Sequence, residues 1–180
     1  MVPSNLKINL AMNNSKLPAA IFLLMLLVAL FEWVHLYPQL PERMASHFAA
    51  NGQPNGWQSK QDFFLLTAIL VLVCSVVSFV LPLAIAVVPT ELVNLPNKSY
   101  WLAPERRAQT VRMFAAHMAW FGCGLLFVTL YAVSQAIQAN LPVHAPFNSI
   151  GMQYVLIGFV LFAVPLLIHL IRRFSSPPGR

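Results

Sequence analysis

Charge is what this sequence has least of. Only 9% of its 180 residues are charged, against about 25% in an ordinary soluble domain. So few charges could not keep a chain that is 58% hydrophobic in solution, and the same composition excludes intrinsic disorder. Cysteine is scarce as well. Cys74 and Cys123 are the only two, each falls within an apolar run, and neither spacing nor number fits a disulfide framework or a zinc motif. The seven glycines form no P-loop, no dinucleotide fingerprint and no GxSxG elbow. No nucleophile, base and orienter can be assembled, so neither an enzyme nor a cofactor is expected. Repeated halves with broken helices, the mark of many transporters, are missing too.

What is present is long apolar runs. No charge falls between Asp62 and Glu91, and none in the 59 residues between Arg112 and Arg172. About 20 apolar residues cross about 30 Å of hydrocarbon, and four stretches qualify: 18–37, 63–88, 111–136 and 150–171. The last charge-free segment exceeds one crossing and must turn back, at the polar and proline-rich stretch from Gln138 to Asn148. A β-barrel would need alternating segments of about ten residues, and these runs do not alternate. The fold class expected is therefore an all-α integral membrane protein with four transmembrane helices. One membrane domain, 18–172, lies between tails 1–17 and 173–180. An outer loop 38–62 and an inner loop 89–110 join the spans. Lys7 and Lys16 precede the first apolar run without a small-residue cleavage site after it, which favours an uncleaved first helix over a signal peptide.

Lysine and arginine set the orientation. With both termini cytoplasmic, nine of the eleven basic residues lie inside and only Arg43 and Lys60 outside, as the positive-inside rule favours. Glu91 and Glu105 reduce the inner face to +7, and Glu42 and Asp62 cancel the outer pair. The basic pI thus reflects topology, with membrane lipids as partners and no nucleic acid. A bacterial inner membrane is the expected location.

The outer loop, Pro38 to Gln61, is the richest segment. Pro41 to Phe48 is expected to form a short interfacial helix, with Pro41 at its first position. Asn51-Gly52 and Pro54-Asn55-Gly56 are turn signals. Trp57 suits an interfacial belt, and Lys60 can reach headgroups. His47, Asn51, Gly52, Trp57 and Lys60 are the candidates for recognising a ligand or partner. A rigid cap with no ligand is the plainer alternative. In the inner loop Asn97, Tyr100, Trp101, Glu105 and Arg106 are candidates for docking a cytoplasmic partner, against a simple lipid-anchoring role. From Pro104 a helix is expected to run on into the third span.

The pattern Leu40-Pro41, His47-Phe48, Asn51-Gly52, Pro54, Gly56-Trp57 and Ser59-Lys60 resembles the small domain of unknown function in the N-terminal part of SdpI-type immunity proteins. The string from Pro96 to Arg107 resembles short stand-alone bacterial members of that group. Such proteins protect a cell from a secreted membrane-active peptide and can sequester a cytoplasmic repressor. They carry a further membrane module that is not evident here. The resemblance implies peptide-toxin immunity or envelope signalling.

An ionisable group within a span is a functional candidate by default. Glu32 is the one carboxylate so placed, and His35 follows it at i+3 on the same helix face. With His47 and His144 they could form a metal site, a proton or ligand site, or only a hydrogen-bonded pair. His117 and His169 are expected to be neighbours near the inner ends of their helices, and Pro82 and Pro165 to kink theirs. The functional expectation is a multi-pass membrane protein that binds or senses, with a secreted peptide as ligand. The alternatives are an accessory subunit of a larger membrane complex and a metal-dependent membrane activity.

Overall fold

The computed structural model describes residues 16–143 and 145–177. The N-terminal tail up to residue 15, His144 and residues 178–180 lie outside the described residues. Four helices among the described residues are long and apolar enough to cross a membrane. Helix α1 spans Lys16–Leu36. It is apolar around its whole circumference, the pattern of a helix with hydrocarbon on its outer side. It ends where Pro38 restricts Tyr37 and forces a 3-10 turn, Tyr37–Gln39. Helix α2, Lys60–Ser75, continues through a π-helical turn, Val76–Val80, into α3, Leu81–Val87. Pro82 lies two residues past that turn and lacks the N–H that would reach the Ser78 carbonyl, so the local widening falls where the regular ladder is already broken.

A one-turn helix α4, Lys98–Trp101, precedes α5, Pro104–Ala139. Helix α5 opens as its sequence suggests, with Pro104 at the first position and Glu105 in the first turn. Its 36 residues extend about 54 Å at 1.5 Å per residue, well beyond a hydrocarbon core. The charged first turns therefore lie outside the apolar stretch. Helix α6 covers Ser149–Ser175 with Pro165 in its interior.

The interfacial helix expected over Pro41 to Phe48 is not formed. That segment is strand β1, Arg43–Phe48, paired antiparallel with β2, Pro54–Ser59. Leu40 is already extended, with ψ 142°, so Pro41 continues an extended chain instead of starting a helix. The turn residues set the pairing. Gly52 adopts φ 80° and donates to the Ala49 carbonyl at 2.8 Å, while the Ala49 N–H reaches the Gln53 carbonyl at 2.8 Å. Ala45 faces Trp57 and His47 faces Gly56, which leaves Ser46 as an extra residue in a bulge.

Two compact units divide the chain, and each draws segments from all four long helices. One comprises the described parts of Met1–Phe22, Ser75–Gly124 and Leu161–Arg180. Phe22 meets Phe79 edge to face at 4.9 Å, the Cys123 thiol donates to the Pro18 carbonyl at 3.1 Å, and Gly122 lies hard against Ser78. The other comprises Leu23–Cys74 and Leu125–Val160. Its core is Leu40, Met44, Phe63, Val133, Ala136 and Ile137, with Trp33 and Phe64 packed against it.

Candidate functional site

The hairpin is built outward from Met44, which is 0% exposed within the core of its unit. The next residue, Ala45, is tied to α5 through its backbone. Its N–H donates to Asn140 Oδ1 at 2.8 Å, and its carbonyl accepts from Asn140 Nδ2 at 2.9 Å. A carboxamide offers the same donor and acceptor as a peptide group, so Asn140 acts as a one-residue third strand. Asn140 Nδ2 also reaches the Ala136 carbonyl at 2.7 Å, which fixes its orientation.

The ladder decides which backbone groups face outward. The Lys60 N–H donates to the Glu42 carbonyl at 2.9 Å, and antiparallel pairs alternate between bonded and non-bonded. Arg43 and Ala45 therefore turn their backbone groups away from β2, and Trp57 and Ser59 turn theirs away from β1. Asn140 closes the β1 edge at Ala45. The β2 edge has no neighbouring strand among the described residues.

Lys60 does not extend towards headgroups as expected. It is 8% exposed, because its stem folds beneath the hairpin. Its Nζ donates to the Leu40 carbonyl at 3.2 Å, pairs with Glu42 at 2.8 Å and lies 4.7 Å from the Tyr37 ring centroid. Asn51 and Gly52 shape the turn. Asn51 Oδ1 accepts from the Gln53 N–H at 3.1 Å, and a Cβ on Gly52 would fall 2.6 Å from the Phe147 carbonyl oxygen. Phe147 also stacks on Phe48 at 4.3 Å. Of the five outer-loop candidates, Trp57 and His47 are the two that present side chains to the surroundings from the strands. Trp57 is 51% exposed and lines, with Arg43, a shallow recess of about 380 Å³. His47 is exposed, its Nδ1 3.1 Å from Ser46 Oγ and its Cβ 3.0 Å from where a Gly56 side chain would begin.

The 89–110 segment fastens helix ends. Asn97 takes the left-handed conformation, φ 52°, and its Nδ2 donates to the carbonyls of Phe174 and Ser175, each at 3.1 Å. Trp101 Nε1 donates to the same Phe174 carbonyl at 2.9 Å. The last carbonyls of a helix lack partners within it, and these two side chains supply them for α6. Arg106 Nε donates to the Tyr100 carbonyl at 2.9 Å, its guanidinium lies 4.1 Å from the Tyr100 ring centroid, and it pairs with Glu105 at 3.2 Å. Arg107, not singled out from sequence, does the comparable task for α3. It donates to the carbonyls of Ile85 and Val88, an arrangement that the rigid guanidinium fork favours. Its sequence signal was only that of a basic residue in the loop that follows the apolar run ending before Pro89.

Glu32 and His35 share a helix but take different partners. Glu32 Oε1 accepts from Ser134 Oγ at 2.7 Å, whereas His35 is exposed and stacks with Phe31 at 6.2 Å. The sequence does not single out Ser134 as the partner of Glu32. Among the described residues no group of three His, Cys, Asp or Glu side chains could hold a metal ion, and His144 is not one of those residues. His117 and His169 are neighbours as expected, stacked at 5.4 Å and 11°, with His117 Nδ1 donating to the Met113 carbonyl at 2.8 Å.

Comparison with known families places one match on this segment: a domain of unknown function (DUF1648) is matched over residues 20–71, which include most of α1, the whole hairpin and most of α2. No curated protein and no solved structure matches the chain.

Proposed function

We propose that this chain is a membrane-embedded binding or sensing protein whose recognition element is the hairpin of residues 43–59. The carrying observation is the asymmetry of the two strands: β1 is tied to α5 through Ala45 and Asn140, while β2 keeps an open edge beside Trp57. An extended peptide can add to such an edge through main-chain hydrogen bonds. Trp57 and Arg43 are residue types that dominate interface energetics. Since the hairpin is already held in place, ligand binding need not order it, which lowers the conformational cost of association.

On this reading the hairpin faces the outside and both termini the cytoplasm of a bacterial inner membrane, the arrangement favoured by the nine-to-two distribution of basic residues. The resemblance to SdpI-type immunity proteins makes a secreted membrane-active peptide the most concrete ligand. Residues 20–71, where the domain of unknown function is matched, contain the proposed element. Gene deletion followed by challenge with a panel of such peptides tests the proposal. Deletion should sensitise cells to at least one peptide. The native gene should restore protection, and Trp57→Ala should not, since truncating an aromatic anchor costs about 2 kcal/mol, roughly thirtyfold in affinity. Unchanged sensitivity across the panel, or full protection by Trp57→Ala, would contradict it.

A further inference from the structure

Beneath the hairpin, within the same unit, a groove of about 330 Å³ runs between α2 and α5. Its α2 wall is Phe63, Leu66, Thr67 and Leu70, and its α5 wall runs from Val128 to Ala136. The α2 residues have i, i+3, i+4 and i+7 spacings, and Thr129, Ala132, Val133 and Ala136 repeat them on α5, so each helix offers one continuous face. Small residues leave room along both walls, with Thr67 on α2 and Thr129, Ala132 and Ala136 on α5. Both threonine hydroxyls are turned back onto their own helices, Thr67 to the Phe63 carbonyl at 2.8 Å and Thr129 to the Leu125 carbonyl at 3.0 Å. The trunk of the groove is therefore effectively hydrocarbon.

Its hairpin end is different. Ser46, His47 and Gln58 line that end, and local structure positions the first two. The extra residue of the bulge falls at Ser46, bulges re-aim side chains, and close packing of Gly56 on the imidazole limits where His47 can lie. An apolar trunk with a hydrogen-bonding mouth complements an amphiphile with a single chain inside.

Its walls also specify the route of entry. Leu66 and Leu70 are 49% and 52% exposed on a helix apolar enough to cross a membrane. The groove thus opens sideways into hydrocarbon. From Phe63 to Leu70 it covers about 10 Å of helix, roughly a third of a hydrocarbon core, starting at the end next to the hairpin. That is the depth occupied by the glycerol-proximal part of a membrane acyl chain.

We propose that this groove is a phospholipid site. One acyl chain lies between α2 and α5, and the polar head is hydrogen-bonded at Ser46, His47 and Gln58. The site is distinct from the β2 edge and stands whether or not a peptide binds there.

The full chain, reconstituted in vesicles containing a phospholipid with a diazirine in one acyl chain, tests this by photolabelling and peptide mapping. A diazirine-bearing alkane without a head group serves as the reference probe. The phospholipid label should concentrate on residues 63–70 and 128–136. Ala132→Phe, which adds bulk to the α5 wall, should abolish that enrichment for both probes. His47→Ala, at an exposed position that need not disturb folding, should lower phospholipid labelling of the groove by about fivefold, the scale of one lost hydrogen bond, and leave alkane labelling unchanged. Label spread evenly over the outward faces of all four long helices would overturn the proposal. So would His47→Ala affecting both probes equally or neither, and so would protection of the groove by a co-purifying polypeptide.

Discussion

Asn97 combines two constraints at one position. Its backbone sits in the left-handed region, which costs a non-glycine residue about 1 kcal/mol, and its carboxamide closes the end of α6 through two carbonyls. Glycine and alanine separate the two effects. Asn97→Gly removes the bonds but relieves the backbone, so it should destabilise by about 1 kcal/mol or less, whereas Asn97→Ala removes the bonds and keeps the strain, for about 2 kcal/mol. Thermal unfolding in detergent should rank native above glycine above alanine. Equal losses would mean the backbone conformation is not a cost at this site. Asn97 and Trp101 were legible as notable residues of their loop, but their partner is not local. Phe174 lies 77 and 73 residues away, and only the folded chain brings its carbonyl within reach. The same holds for Asn140 and Ala45, 95 residues apart. Glu32 was legible as the acid that the membrane must accommodate, while its partner Ser134 and the different partner of His35 were not. The i+3 rule gives a shared helix face, and contacts then depend on what packs there.

Elements were readable wherever their boundaries are local. Pro104 and Glu105 announce the start of α5, and the charge-free runs announce the long helices. The hairpin was misread because Pro41-Glu42-Arg43 carries the same opening signal as Pro104-Glu105-Arg106. What differs is the surroundings: Asn51-Gly52 supplies a tight turn, and Asn140, just past the end of α5, supplies an edge partner. Short segments of this kind are decided by such tertiary contacts more than by propensity. The π-helical turn at Val76–Val80 was also hidden, since Pro82 predicts a perturbation but not its form. Its packing against α5 makes a specific prediction. A Cβ on Gly122 would collide with Ser78, so Gly122→Ala should lower thermal stability by about 1–3 kcal/mol, the usual cost of overpacking. Ser78→Gly should recover much of that loss in the double variant. Additive losses in the double variant would show that the collision is relieved elsewhere.

At the scale of the whole molecule, the distribution of sixteen charges was the most informative feature of the sequence. It separated four apolar segments from their connections, and among the described residues four helices are long and apolar enough to cross a membrane. Glu32 is the one charge inside an apolar run, and Ser134 meets it there. The same distribution carries the proposed orientation, on which recognition from outside depends. Substituted-cysteine labelling examines it most directly, because both native cysteines, Cys74 and Cys123, are buried. Trp57→Cys places a thiol on the hairpin and Ser176→Cys one beyond α6, both at exposed positions. In intact cells a membrane-impermeant maleimide should label position 57, and position 176 only after permeabilisation. Labelling of 176 in intact cells with 57 protected would contradict an outward-facing hairpin, and with it the binding role proposed for this chain.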